Sequence, residues 1–307
     1  MVNAHPKQIK ITINDVGRLD IFLASRFPSY SRTTFKRLIN SKHIKVDSRP
    51  VSPHYQLRTG QILTIDWPDQ KKKSSKTKDV KLPFPVLFED SSIVVVNKPP
   101  NLICHPPGWR SDGTSLVELL SLKLKQENWP DEIRPGLVHR LDRDTSGVLV
   151  FARTLEAHAN ISKQFALRQV KKTYQALVMG KMQAKEGTFE CRIGRHPQKR
   201  QIFAVMDTGR LAITKFKVLK QFGAMATYLE LYPLTGRTHQ LRVQLSSYKH
   251  PILGDAAYGG KSKDFDFIKR QMLHASTLEI THPKSGKKMK FEAPLPDDFQ
   301  DALEKFS

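Results

Sequence analysis

Two acids and three basic or titratable groups crowd a short segment, Gly136-Leu-Val-His139-Arg140-Leu141-Asp142-Arg143-Asp144-Thr145-Ser146-Gly147. Leu137 and Val138 lead into it and Val148-Leu-Val-Phe-Ala152 follows, so strand-forming residues hold both ends, while Thr145, Ser146 and Gly147 bring turn chemistry. That layout presents charge at the rim of a sheet, where a carboxylate is a candidate catalyst. A solvated surface loop, with Asp144 holding the turn, is the competing reading of the segment taken alone. The remaining reactive types offer less. Cys104 and Cys191 are the only cysteines, without CxxC or histidine spacing, so neither a disulfide framework nor a metal site is signalled. Cys104 adjoins His105, but neighbours on an extended chain point to opposite faces, and a buried structural thiol is expected.

The wording His139-Arg140-Leu141-Asp142-x-x-Thr145-Ser146-Gly147 resembles the signature of the RluA-type family of pseudouridine synthases, which isomerise uridine in RNA. Further motifs of that family recur in order: Phe88-Glu-Asp-x-x-Ile-Val-Val-Val-Asn97-Lys98-Pro99 with His105-Pro106, Lys172-Thr-Tyr174-Gln-Ala-Leu-Val, Gly236-Arg237-Thr238-His239-Gln240-Leu241-Arg242, and His250-Pro-Ile-x-Gly254-Asp255-x-x-Tyr258-Gly259. The resemblance covers roughly residues 84 to 299. It implies that Asp142 is the catalytic aspartate, Arg242 its cationic partner and Tyr174 the active-site tyrosine that stacks on uracil. It also implies that Arg140, Arg237, His239 and Leu241 bind the substrate, with Arg140 filling the stack left by a flipped nucleotide.

The implied reaction breaks the bond from N1 to C1′, turns the base and joins C5 to C1′. Nothing is oxidised or transferred, so no cofactor is expected. Positive character at C1′ calls for a carboxylate as nucleophile or electrostatic partner. Whether Asp142 attacks C1′ or removes a proton from C2′ stays open, and both roles need it ionised. A shielded carboxylate keeps its charge only beside a cation, which is the part assigned to Arg242. His139 is expected to make a structural hydrogen bond. Asp255 reads as a turn residue, and Asn97-Lys98-Pro99 and His250-Pro251 read as pocket walls.

The elements that must position these groups are legible as strand-like runs at Ile93–Val96, Val148–Phe151, Thr173–Val178, Ile213–Val218, Ala226–Leu231 and Ala275–Ile280. Helical stretches lie at Leu116–Lys125, Leu155–Leu167 with Thr154 as cap, and Thr238–Tyr248. No regular βαβ alternation appears, so an α+β domain over residues 82–301 with a mostly antiparallel, mixed sheet is expected. Upstream, residues 18–27 space apolar side chains on one helical face, and Ser31 caps a second helix whose outer surface carries Arg32, Lys36 and Arg37. Short strands follow at Ile44–Val46 and Gln61–Ile65. Residues 17–66 resemble an S4-type RNA-binding module, a small α/β domain, and residues 69–81, lysine-rich and nearly devoid of apolar side chains, read as a flexible linker.

Charge fits that picture. The 307 residues hold 51 Lys and Arg against 29 Asp and Glu, a net +22 that is the footprint of a polyanion partner. From Arg32 to Lys45 there are five Lys or Arg, among them Lys42, and no acid. From Arg192 to Lys220 there are eight and one acid, a hairpin-like insertion whose Arg195, Lys199 and Arg200 are expected to grip phosphates. No apolar run reaches the ~18 residues of a membrane span, no signal peptide opens the chain, and neither a Gly-x-Gly-x-x-Gly nor a Walker loop offers a nucleotide cofactor a berth. The expectation is therefore a cytoplasmic, monomeric pseudouridine synthase acting on structured RNA, large-subunit ribosomal RNA first. A non-catalytic RNA-binding or ribosome-assembly factor is the alternative, and a hydrolytic nucleosidase a third.

Overall fold

A computed structural model describes residues 8–27, 32–66, 82–105, 115–124, 136–199 and 201–306. Ser31, the linker at 69–81, Pro106, Arg200 and the Arg37 side chain lie outside the described residues. The described residues fall into two compact units, one ending at Asp66 and one beginning at Leu82.

The first unit packs helices α1 (Leu19–Arg26) and α2 (Arg32–Asn40) on short strands: β1 (Gln8–Lys10), β2 (Gly17–Arg18), β3 (Ile44–Val46), β4 (Arg49–Pro50), β5 (Gln56–Leu57) and β6 (Ile62–Ile65). Four of these form a sheet in the order β1-β6-β3-β4, and β2 pairs with β5. The apolar spacing of the helices turns Leu19, Leu23, Phe35 and Ile39 inward against Ile44, Leu63 and Ile65, all essentially buried. Although the run from Arg32 to Lys45 holds no acid, the basic face of α2 does have a counter-charge. It comes from α1, upstream of the acid-free run. Asp20 carries a fully buried carboxylate that receives Arg32 at 2.9 Å and Arg18 at 3.1 Å, with the Lys36 ammonium 3.8 Å away. Burial works against that charge, but the bonds from Arg32 and Arg18 prevail and hold the carboxyl below its ordinary range.

The second unit is built on ten strands: β7 (Val86–Glu89), β8 (Ile93–Lys98), β9 (Ser146–Ala152), β10 (Lys171–Met179), β11 (Glu186–Arg195), β12 (Phe203–Val205), β13 (Arg210–Phe222), β14 (Ala226–Pro233), β15 (Leu273–Thr281) and β16 (Lys288–Glu292). Their order is β12-β11-β13-β14-β10-β15-β9-β8-β7, with β16 added on β15. Every described pairing in it is antiparallel except β9 with β15. The continuous apolar run of β9 is buried at every residue, as expected of a strand covered on both faces. The helices are α3 (Leu116–Leu124), α4 (Leu155–Ala166), α5 (Gln240–Ser247) and α6 (Asp297–Lys305). Thr154 caps α4 as expected, its hydroxyl receiving the Ala157 N–H at 3.1 Å.

Ser146 and Gly147, expected in a turn, instead begin β9, and Leu137 forms only a single bridge to Phe151. Gly147 is required there: its φ is +117°, and a Cβ would stand 2.1 Å from the carbonyl oxygen of Ala275 on β15. The turn proper is tighter and earlier, closed by Thr145 N–H on the Asp142 carbonyl at 3.2 Å.

Candidate active site

Asp142 sits in a loop whose backbone is tied down residue by residue. Leu141 donates its N–H to Cys104 Sγ at 3.4 Å, and its carbonyl accepts from the same thiol at 3.3 Å. Lys98, fully buried on β8, donates to the carbonyls of Arg143, Pro99 and Leu102 at 2.8 to 2.9 Å. Arg270 reaches the Asp144 carbonyl at 3.1 Å with Nη1, while Nε and Nη2 fork onto Asp298 of α6 at 2.6 and 2.7 Å. Gln271 donates to the Thr145 hydroxyl at 2.7 Å. The loop is fixed before any ligand arrives, the condition for a group that must meet a developing charge without rearranging. Burial pushes the Cys104 thiol up, as suits a structural thiol, and brings Lys98 down to about 8.

Arg242, on the first turn of α5, meets the loop. Its Nη1 donates to Asp142 Oδ2 at 2.8 Å, and its Nε and Nη2 grip Asp255 at 2.7 and 2.9 Å. Asp255 is 1% exposed, so the residue expected to serve as a turn former is a buried carboxylate that anchors the guanidinium. It serves the turn as well, accepting Ala257 N–H at 3.0 Å. Burial disfavours the charge on Arg242, but Asp255 chiefly overcomes it and keeps the group protonated. The guanidinium carbon also lies 4.9 Å from the centre of the Tyr258 ring.

His239 caps α5 in the left-handed region, with φ +55°. Its Nε2 lies 3.8 Å from Asp142 Oδ1, and its Nδ1 is 2.8 Å from the Tyr258 hydroxyl, which in turn accepts Phe203 N–H of β12 at 3.0 Å. Burial lowers the proton affinity of this imidazole, with Asp142 pulling the other way. The helix itself is pinned by Gln244, whose Nε2 donates to the carbonyls of Phe189 and Ala212 and whose Oε1 receives Thr214 at 2.6 Å.

Tyr174 stands on β10 just after a register shift between Thr173 and Tyr174. Burial first, and Asp142 second, push its phenol well above the ordinary range, so it is neutral. Asp142, Tyr174 and Arg242 all line one cavity of about 630 Å³. Arg140, Arg237, His239 and Leu241 line it too, so every residue expected at the substrate is gathered there. Arg237 donates from Nε to the Leu211 carbonyl at 3.1 Å, and Arg140 faces His105 at 3.4 Å. Arg195 is not in the wall; it lies over the Phe203 ring at 5.4 Å, and Phe203 stands edge-on to His239 at 5.6 Å. Lys199 is exposed in the turn after β11.

Several expectations resolve differently. Lys98 and His250 are not in the cavity wall; Lys98 braces the loop from beneath, and His250 Nδ1 lies 3.0 Å from the Met179 carbonyl. His139 keeps the structural role expected of it: its Nε2 accepts Val150 N–H at 3.1 Å, its ring stacks on Phe165 at 4.7 Å, and burial lowers its pKa to about 3. Lys172, which the motif offers only as a neighbour of Tyr174, is itself a cavity residue.

Residues 92–247 match the family model described as RNA pseudouridylate synthase, more than half of the chain. The chain belongs to the RNA pseudouridylate synthase family. Residues 17–63 match the S4 domain, which places that module in the first unit of this pseudouridine synthase. Among curated relatives, the ribosomal large subunit pseudouridine synthase D of Nitrosomonas europaea is 39% identical, the match covering 96% of this chain and 87% of the relative. The protein of the same description from Pseudomonas aeruginosa is 37% identical over 92% of this chain and 89% of its own. The solved structure of human RNA pseudouridylate synthase domain containing 1 superposes with a TM-score of 0.57 at 29% identity, covering 73% of this chain and 87% of that one.

Proposed function

We propose that this synthase converts uridines of large-subunit ribosomal RNA to pseudouridine, with Asp142 as its catalytic carboxylate. The observation that carries the reading is the pairing of Asp142 with Arg242 at 2.8 Å in the wall of a cavity that Tyr174 also lines. A protein that only grips RNA gains nothing from a carboxylate there, since it would repel phosphates. Asp142 meets C1′, or takes a proton from C2′, as the bond to N1 opens. Tyr174 stacks on the uracil, Arg140 occupies the place the flipped nucleotide leaves, and Arg237, His239 and Leu241 bound the nucleoside. The S4 domain through Arg32, Lys36, Arg37 and Lys42, and the basic β11–β13 region through Arg195, Lys199 and Arg200, hold the surrounding phosphates. The names of the bacterial relatives support the choice of RNA.

The test is Asp142→Asn, assayed by tritium release from ribosomal RNA labelled at uridine C5. Turnover is expected to vanish while RNA affinity stays within several-fold. Turnover equal to that of the unaltered protein would remove Asp142 from the chemistry and leave an RNA-binding assembly factor as the reading.

A further inference from the structure

Lys172 lies on β10 two residues before Tyr174, and the two side chains line the same cavity. Its ammonium donates to the carbonyl of Thr235 at 3.2 Å, and among the described residues this is its one hydrogen-bond partner. An ammonium carries three N–H groups, so the rest of its donor capacity is open to a ligand. No carboxylate among the described residues stands within ion-pair distance of it, because both acids of the site, Asp142 and Asp255, are turned to Arg242. Burial drives its pKa down to about 8, with no neighbouring charge offsetting the desolvation, and leaves it mostly protonated at neutral pH. Gly236, which also lines the cavity, lies beside the ammonium, where a Cβ would be in ordinary contact with its nitrogen at 3.8 Å.

The proposed reaction makes an anion in the cavity that Lys172 lines. When the bond from N1 to C1′ breaks, its electron pair stays on the uracil and spreads over O2 and O4, and the base must be retained while it turns. We propose that Lys172 is the cation that holds this uracil anion, donating an N–H to one of its exocyclic oxygens. The inference rests on the pseudouridine synthase reading above and adds a catalytic residue to it. Lys172 keeps its proton throughout. The C5–C1′ bond forms from the electron pair of the uracil anion, the C5 proton leaves to solvent, and N1 takes one up. The chemical class recognised is a delocalised oxyanion of a six-membered imide. A phosphate of the RNA backbone is the other anion that an ammonium would take, and the experiment separates the two.

The measurement is the single-turnover rate at saturating ribosomal RNA for the unaltered protein, Lys172→Met and Lys172→Arg, with either uridine or 5-fluorouridine at the target. Fluorine makes the uracil anion more stable in its own right, so that substrate depends less on a counter-charge. Tritium release reads the first substrate, and loss of 5-fluorouridine from digested RNA reads the second. Lys172→Met is expected to slow uridine about a hundredfold, the usual effect of removing one donor to a developing oxyanion. It should slow 5-fluorouridine less than tenfold and leave RNA affinity within threefold. Lys172→Arg, which keeps charge and donors, is expected to recover part of the uridine rate and serves as the folding control. Equal slowing of both substrates overturns the inference, as does weaker RNA binding with a shallower salt slope and an unchanged saturated rate, which would assign Lys172 to a phosphate. Tritium release by the unaltered protein is read in the same assay, so failure of the underlying reading shows separately.

Discussion

Asp255 holds Arg242 by two parallel hydrogen bonds of 2.7 and 2.9 Å, leaving Nη1 to point at Asp142. The fork fixes the plane of the guanidinium, and its negative charge is shared with that of Asp142 on one cation. Asp255→Leu is expected to lower stability by about 3–5 kcal/mol, as when one member of a buried pair is removed. The milder Asp255→Asn should fold, reduce the saturated rate of tritium release by at least tenfold, and leave RNA affinity within threefold. Denaturant melts and single-turnover assays decide both.

Lys98 offers a test of the fixed loop. Lys98→Met removes the donors to three carbonyls, those of Pro99, Leu102 and Arg143. An acceptor left unpaired where water cannot replace the ammonium costs about 1–3 kcal/mol. Amide exchange at residues 142–145 should quicken relative to β10 and β14, and the saturated rate should fall with it.

Stability should depend on pH through His274. The imidazole is fully buried, with Nε2 3.1 Å from the Ala293 carbonyl and Nδ1 2.9 Å from the Ser146 hydroxyl. A carbonyl only accepts, so Nε2 carries the hydrogen, Nδ1 receives the serine O–H, and the ring is neutral. Burial lowers its pKa from 6.5 to about 4. The unfolded chain therefore binds more protons than the folded one between those values, and stability falls as pH drops through that window. At roughly 1.4 kcal/mol per unit, the loss reaches about 3 kcal/mol. Urea melts from pH 7 to 4 on the unaltered protein and on His274→Gln should show the slope in the first and a flatter profile in the second.

In the S4 domain two sets of cations should separate. Arg32 and Lys36 share the buried Asp20, whereas Lys42 is exposed just past α2 and Lys45 points outward from β3. Replacing Arg32 and Lys36 by Gln is expected to weaken RNA binding and also to lower the melting temperature, because Asp20 is left with one of its three cations. Replacing Lys42 and Lys45 by Gln should leave melting unchanged and lower the salt slope of RNA binding, by about 0.7–0.9 for each phosphate no longer neutralised.

Most long strands of the second unit and its helices α3 to α5 were readable from apolar patterning, and α4 also from its threonine cap, but the ten-residue β11, whose residues are mostly polar and exposed, was not. Site membership was readable for Asp142, Tyr174 and Arg242, because whole motifs carried them. What failed was long-range. Nothing near Asp255 distinguishes a turn aspartate from one whose carboxylate reaches back to a helix residue thirteen positions earlier. The acid that balances α2 lies on α1, beyond the acid-free basic segment itself. Lys98 and Cys104 support the Asp142 loop from positions some forty residues upstream, an association that sequence spacing does not encode. Short β12 carries too few residues to stand out, and α6, amphipathic over nine residues, is not among the helices expected from the sequence.

The parallel seam of β9 and β15 has a bearing on biogenesis. Ser146 and His274, bonded across it, are separated by 128 positions, and a strand made near the end of the chain, β15, therefore supplies one flank of the element that follows the Asp142 loop. During translation the S4 domain emerges complete while that flank is still unsynthesised. A nascent chain is thus able to hold its RNA well before it is able to alter it, and a copy truncated before residue 273 would bind as a competitor that never turns over.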